Sequence, residues 1–239
     1  MTNCGHLSIK KTLDENELKQ GYGTTWIWTA LDPDSRLIIC ALVGNRTLED
    51  CRECMKILLS RIGNKPLFVS DELIHYETIL REKFSTEVPV LPTGKRGRPA
   101  KGKMLLDEEL DYAVVHKTRE KGKVVKVGRK IVFGNTKRIE QKLQQSISND
   151  VNTSYIERSN GTLRQLNSHL RRKSLTFAKE KDFFDAKIAL IIYFYNFIRP
   201  HWTLSKNADK SYTARTPALC SGITDKVWKI EDSFIKPYT

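Results

Sequence analysis

Two apolar runs joined by a short polar turn constrain this chain more than any other feature. Residues 26–31 (WIWTAL) and 37–43 (LIICALV) flank Asp32-Pro33-Asp34-Ser35. Proline restricts φ in such a turn, and Asp side chains bond nearby backbone N–H groups. The pattern predicts a β-hairpin over 26–44.

The segments after the hairpin alternate between helical and strand patterns. Thr47 with Asp50 three residues later resembles a capping box and predicts a helix start. The apolar residues 67–70 (LFVS) predict a buried strand that ends at Asp71. The alternation predicts an α/β fold. The other predicted elements are a first strand over 7–18, a helix over 72–84, a strand over 88–91, and helices over 135–146, 154–172 and 182–197, the last of them in the core.

A basic stretch interrupts this alternation. Residues 94–130 contain 12 Lys or Arg and 5 Asp or Glu, more than half of the net charge of +13. Two strand-like runs, 112–117 and 124–133, predict a hairpin with a turn at Lys121-Gly122. We therefore predict a basic insertion over 93–141, with residues 1–92 and 142–239 forming one catalytic domain.

The charge and the cysteines restrict the partners and the compartment. A strong basic excess favours nucleic acid as partner. The N-terminus lacks a signal-peptide core, and the most apolar stretch, 189–198, is too short to span a membrane. Cys51 and Cys54 form a lone CxxC without a second pair at zinc-binding distance, and helical spacing places Cys51 in the core. Free thiols indicate a reducing cytoplasm.

Two acidic residues lie where a ligand site is expected. Asp71 follows an apolar strand, the place where open α/β sheets hold ligands, although Asp is also a favoured N-cap. Glu157 begins a helix face that continues with Gly161, Arg164 and Ser168, while Ile156, Leu163 and Leu170 share the core face.

A third carboxylate, Asp14, is weakly marked by pattern, and Asp32 in the hairpin turn is its rival. Three converging carboxylates repel one another unless a cation lies between them. Two Mg²⁺ or Mn²⁺ ions held by such a set stabilise the attacking and leaving oxygens of a phosphodiester. The set therefore predicts metal-dependent chemistry on DNA.

The chain resembles the DDE transposases of bacterial insertion sequences, of the insertion-sequence-one type. The resemblance covers nearly the whole chain and is most specific over residues 152–201. It rests on the order strand-strand-strand-helix-strand-helix and on LDE (13–15), FVSDELIHY (68–76), NTSYIERSNGTLRQ (152–165) and YNFIRPH (195–201). It implies an RNase H-like fold, a mixed five-stranded sheet flanked by helices, here with a basic β-hairpin insertion.

The resemblance also implies roles for particular residues. Asp14, Asp71 and Glu157 correspond to the catalytic, metal-binding triad for two Mg²⁺ (or Mn²⁺) ions, and Arg164 to a basic position that contacts element-end DNA. The implied activity is cutting at the element ends and joining of the freed 3′-OH to target DNA. The partners are double-stranded DNA, as terminal repeats and target, and further copies of the chain in a homo-oligomer at the nucleoid. Other DNA contacts are predicted from Arg158, Arg171, Arg172, Lys95, Arg96, Arg98 and Lys101.

Alternatives remain open at this point. Arg96-Gly97-Arg98-Pro99 resembles an AT-hook core, which reads the minor groove, but is equally explained as a basic loop attracted to phosphates. The chain as a whole is alternatively a non-catalytic DNA-binding remnant of a transposase. A third reading is an RNase H-like nuclease or resolvase, which cuts without joining.

Overall fold

The chain is organised around a mixed β-sheet. The computed structural model describes residues 1–8, 25–89, 102–171, 176, 178 and 180–232. Six strands form one sheet in the order β3-β2-β1-β4-β7-β8, and β5 pairs with β6 apart from it. The strands are β1 (Thr2–Ser8), β2 (Trp26–Leu31), β3 (Ile38–Gly44), β4 (Leu67–Asp71), β5 (Ser85–Val88), β6 (Lys103–Leu106), β7 (Asp111–Glu120) and β8 (Lys123–Phe133).

Helices cover both faces of this sheet, so the α/β class predicted from the sequence is confirmed. A 3₁₀ turn follows α4 and a π-helical turn, Phe194–Ile198, continues α5. The helices within the described ranges are α1 (Leu48–Arg61), α2 (Ile74–Lys83), α3 (Thr136–Gln144), α4 (Ser154–Leu166), α5 (Lys181–Tyr193), α6 (Trp202–Ser205) and α7 (Pro217–Cys220). None of them is both long enough and apolar enough to cross a membrane.

The hairpin predicted from the two apolar runs is present as β2 and β3, which pair antiparallel. The Asp32 carboxylate stabilises its turn by accepting hydrogen bonds from the backbone N–H groups of Asp34 (3.2 Å) and Ser35 (3.0 Å). The first strand lies earlier than predicted. It is Thr2–Ser8 and pairs antiparallel with β2, whereas the prediction was 7–18.

The main sheet has six strands rather than five, because the two strands of the basic hairpin join β1–β4. The strand predicted over 88–91 is β5, which ends at Val88 and pairs with β6 outside the main sheet. β7 pairs in parallel with β4, in register from Leu67 with Asp111 to Asp71 with Val115. β8 then pairs antiparallel with β7. The hairpin assigned to an insertion is thus continuous with the main sheet at the apolar end of β7. The AT-hook-like segment lies outside the described residues.

Strand register divides the core between the two faces of the sheet. Leu31 and Val69 both pair with Asn3, and Val69 pairs with Ala113, so these side chains share one face. That face carries α3, α4 and α5 through two apolar clusters. The opposite face carries α1 and α2, packed on a cluster that includes Trp28 and Phe68.

Two helices differ from their predicted extents. α4 ends at Leu166, not near residue 172, because Asn167 is extended and its side chain accepts a hydrogen bond from His169 N–H (3.1 Å) to start the 3₁₀ turn. α5 was expected to be buried all round. It packs through Phe184 and Ile188, whereas Phe183 and Leu190 are more than 60% exposed.

The predicted start of α1 is confirmed, and the two cysteines of the CxxC motif are both buried. Thr47 caps α1 by accepting from Asp50 N–H (3.2 Å), as predicted. Cys51 is a core residue, as predicted, but Cys54 is also buried, with its sulfur 3.7 Å from that of Cys40. Cys54 lies three residues after Cys51 and four before Leu58, so helical spacing places it on the same face as Cys51.

One polar side chain from the C-terminal part forms hydrogen bonds with the backbone of β3, the outer strand of the sheet. Asn196, in the π-helical turn, is buried against β3. Its Oδ1 accepts from Ile38 N–H (3.1 Å) and its Nδ2 donates to Ile38 C=O (2.9 Å). Both hydrogen-bonding groups of the amide are therefore used, which explains a polar residue within an apolar stretch.

A buried ion cluster joins α3 to the start of β7. The Asp111 side chain is fully buried and accepts from Arg138 Nε (2.8 Å) and Nη2 (2.6 Å), and Lys142 Nζ lies 2.8 Å away. Burial raises the pKa of Asp111, but the hydrogen bonds from Arg138 and Lys142 outweigh it and hold the pKa below its usual value. Gly134, with φ +106°, passes so close that an added Cβ would lie 2.1 Å from Asp111 Oδ1.

We expect Asp111→Asn to lower the free energy of unfolding by about 3 kcal/mol, because it leaves two cations without their buried partner. This is the lower end of the range for buried pairs, since Arg138 and Lys142 are about a third exposed. A folded-state pKa below the unfolded value of about 3.9 gives stability that is present above that pH and lost as the pH falls through the folded pKa. Urea unfolding between pH 2 and 7 measures both effects.

The matched control is Glu53→Gln, which removes an exposed pair with Lys56 on α1. Such a pair contributes under about 1 kcal/mol. An Asp111→Asn protein with wild-type stability, or with an unchanged loss of stability in acid, would contradict the assigned role.

Candidate functional site

Asp71 stands at the carboxyl end of a buried parallel strand. The four preceding residues of β4 are buried, while Asp71 is half-buried. Strand alternation places it on the face that carries Leu67 and Val69. The alternative role as helix cap is not the one observed: Leu73 is the N-cap of α2, and Asp71 Oδ1 accepts from Leu73 N–H (3.4 Å) in a turn before the helix.

Glu157 lies in the first turn of α4 with its carboxylate exposed. It contacts Lys117 Nζ from β7 and accepts a hydrogen bond from Thr153 Oγ1 (3.0 Å). Lys117 also donates to Thr153 Oγ1 (3.0 Å). An acidic residue is favoured in the first turn by the helix dipole.

Strand β7 brings the two carboxylates to the same part of the sheet. Asp71 pairs in register with Val115, and Lys117 follows two residues later, about 7 Å along the strand. Because alternate residues share a face, Lys117 projects on the side of Asp71 and of α4. We call Asp71, Lys117, Thr153 and Glu157 the carboxylate site.

The third predicted metal ligand, Asp14, lies in residues 9–24, outside the described part of the chain. Within that described part, no group of three His, Cys, Asp or Glu side chains is placed to hold a metal ion. The donors present, two carboxylates and a hydroxyl, have the oxygen chemistry that Mg²⁺ prefers. Among the described side chains, the cation that contacts Glu157 is the Lys117 ammonium.

The polar face predicted on α4 is present in part. Ile156, Leu163 and Leu170 are buried, as predicted, but Ser168 lies beyond the helix end. Among the described residues, apart from its chain neighbours and the nearby backbone of its own helix, no atom lies within 4 Å of a Cβ added at Gly161, so no other described segment approaches it closely.

Sequence reasoning missed Asn160, one turn after Glu157. Asn160 is buried, and Thr29 Oγ1 on β2 lies 3.5 Å from its Oδ1, so the amide links α4 to the sheet. Asn160 lies four residues after Ile156 and three before Leu163, so helical spacing places it on the core face and was the signal of its burial.

The predicted DNA-contacting residues fall into two groups. Arg158 and Arg171 are exposed and Arg164 is half-buried, at successive positions along α4 and the 3₁₀ turn. The remaining predicted residues, Lys95, Arg96, Arg98, Lys101 and Arg172, lie outside the described residues.

A cationic cluster beside α4 was not predicted. Burial, followed by the charges of Arg36, Arg199 and Arg158, lowers the pKa of His201. The guanidinium carbon of Arg36 lies 4.0 Å from the centre of the Tyr155 ring on α4. Next to His201, Trp202 is 71% exposed, whereas Trp28 is fully buried. Arg199-Pro200-His201 is part of the motif 195–201 noted in the sequence, but the sequence did not indicate that the charge of Arg158 acts on His201.

Comparison with known proteins adds no relative. No protein-family model, curated protein or solved structure matches the chain. The family resemblance therefore remains a prediction, and the function has to be inferred from residues and geometry.

We expect Lys117→Met to increase the affinity of the carboxylate site for Mn²⁺ by at least about fivefold. The ammonium competes with a cation for Glu157, and one unit charge 4 Å away contributes about 1 kcal/mol even at the dielectric constant of water. Calorimetric titration with Mn²⁺ measures the affinity. Lys65→Met, which removes a lysine paired with Asp107 and Glu109, is the control and should change nothing. Unchanged or weaker binding in Lys117→Met would contradict this view of Lys117.

Proposed function

We propose that this protein is a DDE-type DNA transposase with an RNase H-like catalytic fold. It would cut DNA at the ends of a mobile element and join the freed 3′-OH ends to target DNA, as a homo-oligomer acting in the cytoplasm on nucleoid DNA. The observation that carries the proposal is the placement of Asp71 and Glu157. Two carboxylates 86 positions apart in the sequence lie next to the same segment of β7.

The order of the elements adds support. The elements follow one another as β1-β2-β3-α1-β4-α2. The first three strands pair antiparallel, and β4 pairs in parallel with β1. This is the order on which the resemblance to the RNase H-like transposases rests. Asp71 follows the fourth strand and Glu157 lies on a later helix, as that resemblance requires.

The proposed reaction assigns a task to each side chain of the site. Asp71, Glu157 and Asp14 would hold two Mg²⁺ ions, which when bound activate the attacking oxygen and stabilise the leaving one. Thr153 orients the Glu157 carboxylate through its hydrogen bond. Lys117 has to move from Glu157 for a cation to bind, which leaves its ammonium free for a phosphate oxygen of the DNA.

Cations next to the site would hold the DNA backbone. Arg158 follows Glu157 directly and is exposed, and Arg199 is exposed as well. Phosphate contacts of this kind set the position of a duplex without reading its sequence. The scissile bond is thereby kept over the carboxylates.

The test is an assay of cutting and joining with purified protein. The substrate is labelled duplex DNA carrying the inverted repeats that flank the gene, with supercoiled plasmid as target and Mg²⁺ or Mn²⁺ present. We expect nicked and joined products from the wild type. Asp71→Asn, Glu157→Gln and Asp14→Asn should each lower the rate by about 10²-fold or more, since each removes the charge of one ligand and keeps its shape.

Asp32→Asn is the matched control. Its carboxylate stabilises the β2–β3 turn and has no part in the proposed metal site, and the asparagine oxygen can keep one of the two backbone hydrogen bonds, so the rate should be unchanged. Wild-type rates in Asp71→Asn or Glu157→Gln would overturn their assigned roles. Metal-independent DNA binding without product would favour the non-catalytic remnant, and cutting without joining would favour the nuclease or resolvase.

A further inference from the structure

The β7–β8 hairpin extends well beyond the main sheet. β4 pairs with β7 only as far as Val115, whereas β7 and β8 remain paired to Glu120 and Lys123. Five further residues of β7 correspond to about 16 Å of two-stranded ribbon. We call residues 116–130 the arm: residues 116–128 project beyond the sheet, and Arg129 and Lys130 lie at its base, opposite Val115 and Val114.

The turn at the tip of the arm is stiff and short. Lys121 and Gly122 both have positive φ, 48° and 81°. Two-residue turns of this kind match the twist of the flanking strands, so the ribbon continues regularly to its tip. The turn is the one predicted around Lys121-Gly122 from the two strand-like runs on either side of it.

The arm carries charge of almost one sign. It contains seven Lys or Arg and one acidic residue, Glu120. Lys117 pairs with Glu157 and Arg129 with Asp150. In the described ranges, no ion pair involves the other five cations, which are Arg119, Lys121, Lys123, Lys126 and Lys130. Unbalanced like charges on one projecting element are unfavourable in the free protein and favour a polyanionic partner.

The cations lie on both faces of the ribbon. Lys126 pairs in register with Thr118 and Lys130 with Val114, so these two lysines share one face. Lys117 and Arg129 lie on the other. A strand pair with cations on both faces suits a groove that has phosphates along both walls, rather than a flat anionic surface.

The arm also exposes apolar side chains. Val124, Val125 and Val127 are 44–53% exposed. The major groove of B-DNA, about 12 Å wide, admits a two-stranded ribbon, and its floor presents thymine methyl groups to apolar residues. The minor groove, about 6 Å wide, would have to widen before it could admit such a ribbon.

We propose that the arm inserts into the major groove of duplex DNA and delivers that duplex to the carboxylate site. The identification of the duplex as the substrate of cutting rests on the proposed function. The link between arm and site is Lys117, which lies at the base of the arm and contacts Glu157. DNA held along the ribbon therefore passes beside the two carboxylates.

The test compares two triple variants of equal charge. Lys123→Gln, Lys126→Gln and Lys130→Gln together alter the arm, and Lys56→Gln, Lys83→Gln and Lys137→Gln together alter exposed lysines on three helices. Binding to a fluorescent 30-base-pair duplex is measured by anisotropy, without divalent ions, between 50 and 300 mM salt. We expect the arm variant to bind at least about tenfold more weakly near 150 mM and to reduce the slope of log K against log salt by about 2 to 3. The helix variant should bind as the wild type does.

Protection of guanine N7 from methylation identifies the groove. The wild type should protect N7, which lies in the major groove, and the arm variant should not. Equal losses in the two variants, or protection confined to the minor groove, would overturn the proposal, as would a preference for a single-stranded or RNA probe over the duplex. Circular dichroism and thermal melting of both variants test whether the fold is retained, which we expect for each.

The binding test of the arm and the cutting and joining assay of the proposed function can succeed or fail independently. Arm-dependent major-groove binding by a protein that neither cuts nor joins DNA would support the arm and refute the transposase. Metal-dependent joining by a protein whose binding does not change in the arm variant would support the transposase and refute the arm.

Discussion

The parallel pairing of β4 with β7 is the constraint on which the rest of the structure depends. It sets Asp71 opposite Val115 and so places Lys117 beside α4, where it contacts Glu157. It also sets Asp111 at the start of the strand, where two cations from α3 neutralise a fully buried carboxylate. Because a shift of one residue would exchange the two faces of β7, the apolar run 112–115 and this buried charge together select a single register.

The elements recognised from the sequence are those specified by neighbouring residues. The β2–β3 turn depends on the Asp32 side chain bonding two backbone N–H groups within three residues, and the start of α1 depends on Thr47 and Asp50. The position of Asp71 at a strand end followed from a short apolar run before it. Such signals are contained in a few residues, so they can be identified without knowing the fold.

What the sequence could not show depends on contacts between distant residues. The 112–117 run has the same pattern whether its hairpin stands apart or joins the main sheet, and only pairing with β4 decides. Lys117 and Glu157 are 40 positions apart, and no motif links them. The amount of α5 that is covered depends on what packs against it, which is why Phe183 and Leu190 are exposed in a helix predicted to be buried.

The amide of Asn196 has a consequence for how copies of this protein behave in solution. β3 is an outer strand, and unpaired backbone groups there are a template on which another chain can add a strand. The amide bonds both groups of Ile38 as a neighbouring peptide would, and so it takes one position on that edge away from intruding chains. A chain shortened upstream of residue 196 would lose this protection, and the backbone groups of Ile38 would be open to a strand from another chain.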